Sequence, residues 1–207
     1  MQDIVVFLDY QNVYKRAREL FHDRYDPHWD GQIDPGRLAQ HIVDRPSPFE
    51  RQLKQVRVYR GIPIDSRDSK GYAAARRQHA EWQKNPKVEV FARPLRYPQG
   101  WPDRHLAGEK PGEKGVDVAL AVDFVAMAVR GDFDAGILFS VDTDMKPVLE
   151  FVSSVDVNAR PEVAAWRNPG QTDYDRRLSL GRNRPFCHWL DEIDYNIVRD
   201  PTDFTRS

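Results

Sequence analysis

Ile4 to Leu8 is an unbroken apolar run, the pattern of a short strand buried on both faces. The period then changes. Val13 to Phe21 places apolar side chains at helical intervals, and Asn12 stands where a cap is expected. His22 to Gln32 is a polar, aromatic loop, after which Asp34-Pro35 with Leu38, Ile42 and Val43 predicts a second helix. Asp34 would cap it, Pro35 would take the first helical position, and Pro46 and Pro48 would end it. Val56 to Tyr59 alternates as a second strand and is broken at Gly61-Ile62-Pro63. Ser69 to Lys84 carries the helical stripe Tyr72, Ala75, His79 and Trp82, and Lys87 to Ala92 predicts a third strand. Pro94 to Lys114 has no periodicity and is rich in Pro, Gly and charge, which predicts a long functional loop or a small hairpin. Val116 to Val129 is apolar nearly all round and reads as a buried helix in preference to a strand. Gly136 to Val141 predicts strand four, Met145 to Val155 a helix, Pro161 to Trp166 strand five, and Pro185 to Ile193 a last short helix.

Strands alternating with helices define the α/β class, with a mainly parallel central sheet of about five strands flanked by helices. A chain of 207 residues can bury its apolar surface around one core, so one domain is expected over 1–207, with 167–207 a C-terminal extension packed on it. No apolar run approaches the roughly 20 residues of a membrane span, and Met1-Gln2-Asp3 leads straight into the first strand. The expectation is a cytoplasmic protein with no membrane partner. The single cysteine, Cys187, excludes an intramolecular disulfide and a multi-cysteine zinc site and is expected to act as a small buried hydrophobe. The six histidines show no metal-ligand spacing, and His188 reads as a packed residue with no chemistry.

Charge changes the picture, because a net charge of −1 hides a segregated distribution. Arg51 to Arg104 holds 13 Lys and Arg against 5 Asp and Glu, a net of +8, which leaves −9 for the rest. A basic stretch facing an acidic pocket suits a phosphodiester, whose backbone is held by cations while metals hold the reacting phosphate; a solvated basic face is the plain alternative.

The acidic pocket comes from aspartates at the ends of apolar runs. Asp9 ends the first run, Asp117 lies near the start of the helix from Val116, and Asp142 and Asp144 follow the fourth strand. If these runs share one parallel sheet, the carboxylates converge at its strand ends, where open α/β folds bind ligands. Such a cluster fits Mg²⁺ or Mn²⁺, hard cations that want oxygen donors. Each aspartate alone is also a good cap, and at least one of Asp142 and Asp144 should cap the helix from Met145. Asp123, six residues past Asp117, is rotated by about 120° on a helix and reads as supporting or structural.

Three segments carry a family resemblance: Phe7-Leu8-Asp9-Tyr10-Gln11-Asn12-Val13, Lys114-Gly115-Val116-Asp117 through Asp123, and Ser140-Val141-Asp142-Thr143-Asp144. Together, from about Ile4 to Trp166, they resemble the NYN domain, a branch of the PIN-like nucleases. Tyr59-Arg60-Gly61, the Arg-rich helix after it and Arg93 to Tyr97 look like bacterial members of that family. The resemblance implies a single NYN domain with a Rossmann-like PIN fold, and a metal-dependent endoribonuclease. It puts Asp9, Asp117 and Asp142 on the family's acidic metal-binding positions, with Asn12 beside the first, and Ser140 and Asp144 in the last motif. Val141 and Thr143 stand where that motif usually has glycines, so an RNA-binding or regulatory module with weak or lost cleavage is the alternative. A phosphatase using Asp9 as a covalent nucleophile is disfavoured, because Gln11 stands where a haloacid-dehalogenase-like enzyme would have its acid.

RNA is the expected partner. Lys114 could meet the scissile phosphate, and Lys70, Arg76, Arg77, Arg93 and Arg96 could line the path of the strand. Tyr10, Tyr97 and Trp101 are candidates for base stacking, with packing as their plain reading. A homodimer is left open.

Overall fold

A computed structural model describes residues 1–102, 108–155, 157–170, 177–178, 180 and 185–206. In chain order the elements are β1 (Gln2–Asp9), α1 (Tyr10–Phe21), α2 (Pro35–Val43), β2 (Arg51–Ile62), α3 (Ser69–Trp82), β3 (Val88–Pro94), α4 (Val116–Arg130), β4 (Ala135–Phe139), a 3₁₀ turn (Thr143–Met145), α5 (Lys146–Ser154), β5 (Arg160–Trp166), β6 (Cys187–Leu190) and α6 (Glu192–Val198). Side chains alternate across a strand, so the apolar run of β1 supplies two cores at once. Ile4, Val6 and Leu8 join Val13 and Ala17 of α1 and Leu38 and Ile42 of α2. Val5 and Phe7 join Leu120 and Phe124 of α4 and Leu149 and Val152 of α5.

All six strands are parallel, in the order β3-β2-β1-β4-β5-β6. The chain builds outward from β1 to β3, then returns through α4 to the other side of β1. The winding direction therefore reverses between β1 and β4, and in open α/β sheets a crevice forms at that point, outside the carboxyl ends of the strands.

Three expectations need correcting. The sheet has six strands, because Cys187–Leu190, expected in a helix, pairs with β5, and the last helix starts only at Glu192 behind an Asp191 capping box. A segment of 4 residues carries too little periodicity to tell a strand from a helix, and pairing with β5 decides it. The cap of α1 is Asp9, whose carboxylate accepts the Asn12 N–H at 3.1 Å, while Asn12 lies inside the first turn. Helix α4 is not buried all round, since Val118, Val122 and Val129 are exposed. His188 is packed, as expected, in the cluster around Glu162.

Glu162 of β5 is 1 % exposed and would be costly without partners. It accepts a bidentate pair from Arg51 of β2 (2.7 and 3.1 Å), a bond from Arg160 (3.0 Å) and one from His188 of β6 (2.7 Å). Burial pushes its carboxyl up, but His188 and Arg51 outweigh that and hold it down at about 2. The cluster cross-links β2, β5 and β6. Between Pro94 and Lys114, Arg96 and Gly112 form an antiparallel bridge, bonded at 2.9 and 3.0 Å, and residues 103–107 lie outside the described residues. Cys187 is buried. Among the described residues no helix is long and apolar enough to cross a membrane.

Candidate active site

The reversal between β1 and β4 is where the sequence-predicted aspartates meet. Asp9, the last residue of β1, is 4 % exposed. Its neighbour Ser140, just past β4, is also buried and donates its hydroxyl to the second Asp9 oxygen at 3.1 Å. The Ser140 oxygen in turn accepts the Asp142 N–H at 3.1 Å, so one serine ties the end of β1 to the loop after β4. Asp142 caps the 3₁₀ turn by accepting the Asp144 N–H at 2.9 Å. That settles which of this pair is the cap. No residue other than glycine has a positive φ among the described residues, so Val141 and Thr143 fit this loop with ordinary backbone.

Asp117 arrives from the other side. A helix crossing between parallel strands begins at their carboxyl ends, and Asp117 lies in the first turn of α4. Gly115 starts that helix at φ +75°, the left-handed region that favours glycine. A Cβ there would meet Arg93 only at an ordinary 3.5 Å, so the conformation, not space, requires glycine. Gly115→Ala is expected to lower stability by about 1 kcal/mol in urea denaturation.

The charges at this site repel. Burial, then Asp117 and Glu113, push Asp9 up to about 6, against the pull of the Asn12 N–H and the Ser140 hydroxyl. Burial and the carboxylates of Asp142 and Asp144 also raise Asp117. None of Asp9, Asp117, Asp142 and Asp144 has a Lys, Arg or His ion-pair partner among the described residues. An all-oxygen set with unbalanced charge fits a hard divalent cation. The four are not drawn into a tight cage, because no three offer atoms within 4.8 Å of one another; Mg²⁺ commonly keeps waters between itself and part of its carboxylate shell.

Sequence reasoning missed Glu113. It accepts the Gly61 N–H and is raised by burial, and the signal was its place four residues before Asp117 in the loop singled out as functional. It also passed over His22, Asp26 and Asp30, spaced by four, whose ligand atoms lie within 4.8 Å of one another. Those groups are used locally. His22 bonds the Tyr195 hydroxyl at 2.9 Å, Asp26 accepts the Asp23 N–H, and Arg18 holds the carbonyls of Asp26, Pro27 and Asp30.

Asp123 lies away from the cluster and accepts from Arg57 and the Tyr59 hydroxyl, each at 2.7 Å, the structural role expected of it. The basic stretch is not one outer face. Arg51 binds Glu162, Arg57 binds Asp123, and Arg60 lies over the rings of Tyr10 and Trp82. Of the expected RNA contacts, Lys70, Arg76 and Lys114 are exposed, and Arg93 lies beside Gly115. Arg96 and Lys114 line a second surface depression with Tyr97, whose ring is 6.1 Å from that of Trp101. Arg77 is committed elsewhere, donating to the Phe204 carbonyl at 2.9 Å. Tyr10 is buried against Trp82.

The NYN domain family matches residues 3–159, which include every aspartate of the site. The chain belongs to the NYN domain family. NYN domains are PIN-like and generally nucleases, which places this one among hydrolases at the level of family, and such nucleases usually use divalent metals. A crystal structure of a Vibrio parahaemolyticus protein of unknown function superposes with a TM-score of 0.52 at 18 % identity, over 92 % of this chain and 94 % of that one. It supports the fold of this NYN domain and nothing further. No curated protein matches the chain.

Proposed function

We propose that this NYN domain is a metal-dependent endoribonuclease that hydrolyses RNA phosphodiester bonds with Mg²⁺ or Mn²⁺ held by Asp9, Asp117, Asp142 and Asp144. The observation that carries the reading is the buried, uncompensated Asp9 carboxylate at the sheet's switch point, linked through Ser140 to the Asp142 loop. A bound divalent cation would supply a water acidic enough to attack at neutral pH and would offset charge on the phosphate. Ser140 orients Asp9, the start of α4 brings Asp117 to the same edge, and Asn12 lies in the first turn of α1 with its N–H on Asp9. Lys114, exposed just before Gly115, would meet the phosphate backbone, with Arg93 at the end of β3, Arg96 in the loop after it and Lys70 and Arg76 on α3 as further contacts.

The second reading, an RNA-binding module with weak or lost cleavage, is favoured by the open spacing of the aspartates. One experiment separates the two: incubation of varied single-stranded and structured RNAs with Mg²⁺ or Mn²⁺, wild type beside an Asp9→Asn, Asp142→Asn double variant, with folding followed by circular dichroism. Metal-dependent cleavage lost in the folded variant supports the nuclease. Intact RNA that stays bound to both proteins moves the assignment to the binding module.

A further inference from the structure

Beside the carboxylates, between α1, the end of β2, α3 and the C-terminal tail, lies a cavity of about 340 Å³. Its walls include Tyr10 and Tyr14 of α1, Arg60 at the end of β2, Gln78 of α3, Glu113 and Phe204 of the tail. It adjoins the carboxylate site directly. Tyr10 follows Asp9 in the chain, and Glu113 both lines the cavity and is one of the charges acting on Asp9. The Arg60 guanidinium is held in place by the Tyr10 and Trp82 rings, at 4.9 and 5.4 Å, and by a bond to the Gln78 side-chain oxygen. The tail wall is clamped as well: Arg77 holds the Phe204 carbonyl, the Asp200 N–H donates to Gln32 at 2.9 Å, and Gln32 donates to Thr202 at 3.3 Å.

The lining selects among occupants. The half-buried Tyr14 and Phe204 rings and the fixed Arg60 guanidinium plane offer stacking surfaces to a planar ring, and the Glu113 carboxylate offers a hydrogen-bond acceptor to its edge. The volume falls in the range of small-ligand sites. Inside, the Arg60 cation is offset by Glu113, so no uncompensated positive charge awaits a phosphate there, whereas Lys15 is exposed at the rim. We propose that this cavity receives one unstacked base of an RNA strand whose backbone crosses the aspartate site, so that the domain selects its cleavage position by a nucleotide flipped into the wall formed by α1, α3 and the tail. The inference rests on the nuclease reading for the path of the strand, but its test does not depend on cleavage.

Fluorescence anisotropy of labelled RNA hexamers, with Ca²⁺ in place of Mg²⁺ and an abasic residue walked along the strand, measures it. One abasic position is expected to weaken wild-type binding by about tenfold, the order of a lost stacked base, while the others cost little. Ala74→Phe, which fills the cavity from a partly exposed helical position, is expected to weaken the intact hexamer by a similar factor and to make all abasic positions equivalent. Phe204→Ala, which removes the tail wall and leaves the strands untouched, should reduce the same position's effect; thermal melts establish that both variants fold. No binding, no privileged position, or an Ala74→Phe variant that binds like wild type would overturn the inference. RNA held with one privileged base yet never cut with Mg²⁺ or Mn²⁺ would leave the cavity assigned and remove the nuclease reading. RNA that is cut but shows no privileged base would do the reverse.

Discussion

Asp9→Asn is expected to make the folded protein more stable while removing the cleavage activity proposed for it. The wild-type carboxylate is buried, faces Asp117 and Glu113, and has its pKa raised from 3.8 to about 6. At neutral pH it is ionised in both states, and the folded state bears the cost of holding that charge. Asparagine caps a helix as well as aspartate does and can still meet the Asn12 N–H and Ser140. Removing the charge should therefore raise stability by on the order of 1 to 3 kcal/mol, since each pKa unit corresponds to about 1.4 kcal/mol. The sign can be read against pH. A carboxyl raised on folding destabilises above its folded value, so the variant's advantage should be complete above about pH 6 and vanish below about pH 4. On the nuclease reading, loss of this carboxylate is expected to lower cleavage by on the order of a thousandfold, several kcal/mol of metal-assisted charge stabilisation. Urea denaturation at pH 5 and 7.5, beside a cleavage assay, checks both. A variant less stable than wild type at pH 7.5 would refute the account of Asp9 as a strained functional carboxylate.

The opposite behaviour is expected at another buried acid, Glu162. Glu162→Ala would leave Arg51, 7 % exposed at its side chain, and His188, 5 % exposed, without the carboxylate that joins them. Breaking a buried pair by removing one partner costs about 3 to 5 kcal/mol, because a charge is left inside unbalanced. Here the folded-state pKa is lowered, from 4.5 to about 2. The stability supplied by Glu162 should be fully present above about pH 4.5 and be lost as the pH falls towards 2. Wild type and variant should thus converge in acid, whereas the Asp9 pair converges by losing an advantage of the variant. Unfolding midpoints of the wild type and the Glu162→Ala protein between pH 3 and 7 measure it; a constant difference across that range would show that packing, not ionisation, is what Glu162 supplies.

Most of the architecture was legible in local pattern. The run Ile4 to Leu8, the Asp34-Pro35 start of α2, the stripe of α3 and the apolar α4 each announce an element, because a strand buried on both faces or a helix with one apolar stripe is constrained residue by residue. The aspartates were legible too. They end apolar runs, and in a parallel sheet every run ends on the same side.

What local pattern could not decide was partnership. Nothing within Cys187 to Leu190 says strand; only the free edge of β5 does. Arg51, Arg57 and Arg60 count as part of a basic segment, yet each turns inward to a carboxylate, ring or amide brought from a distant part of the chain. Glu113 joins the site because the loop before α4 folds back on Gly61. The Glu162 cluster and the cavity walled by Phe204 likewise depend on contacts between residues more than 100 positions apart. The sequence by itself determined the class of fold, the order of its elements and the carboxylates at their ends, since these follow from side-chain period and strand direction. Only the tertiary structure decided which charges are balanced and which are not, because that depends on what long-range packing sets beside each one.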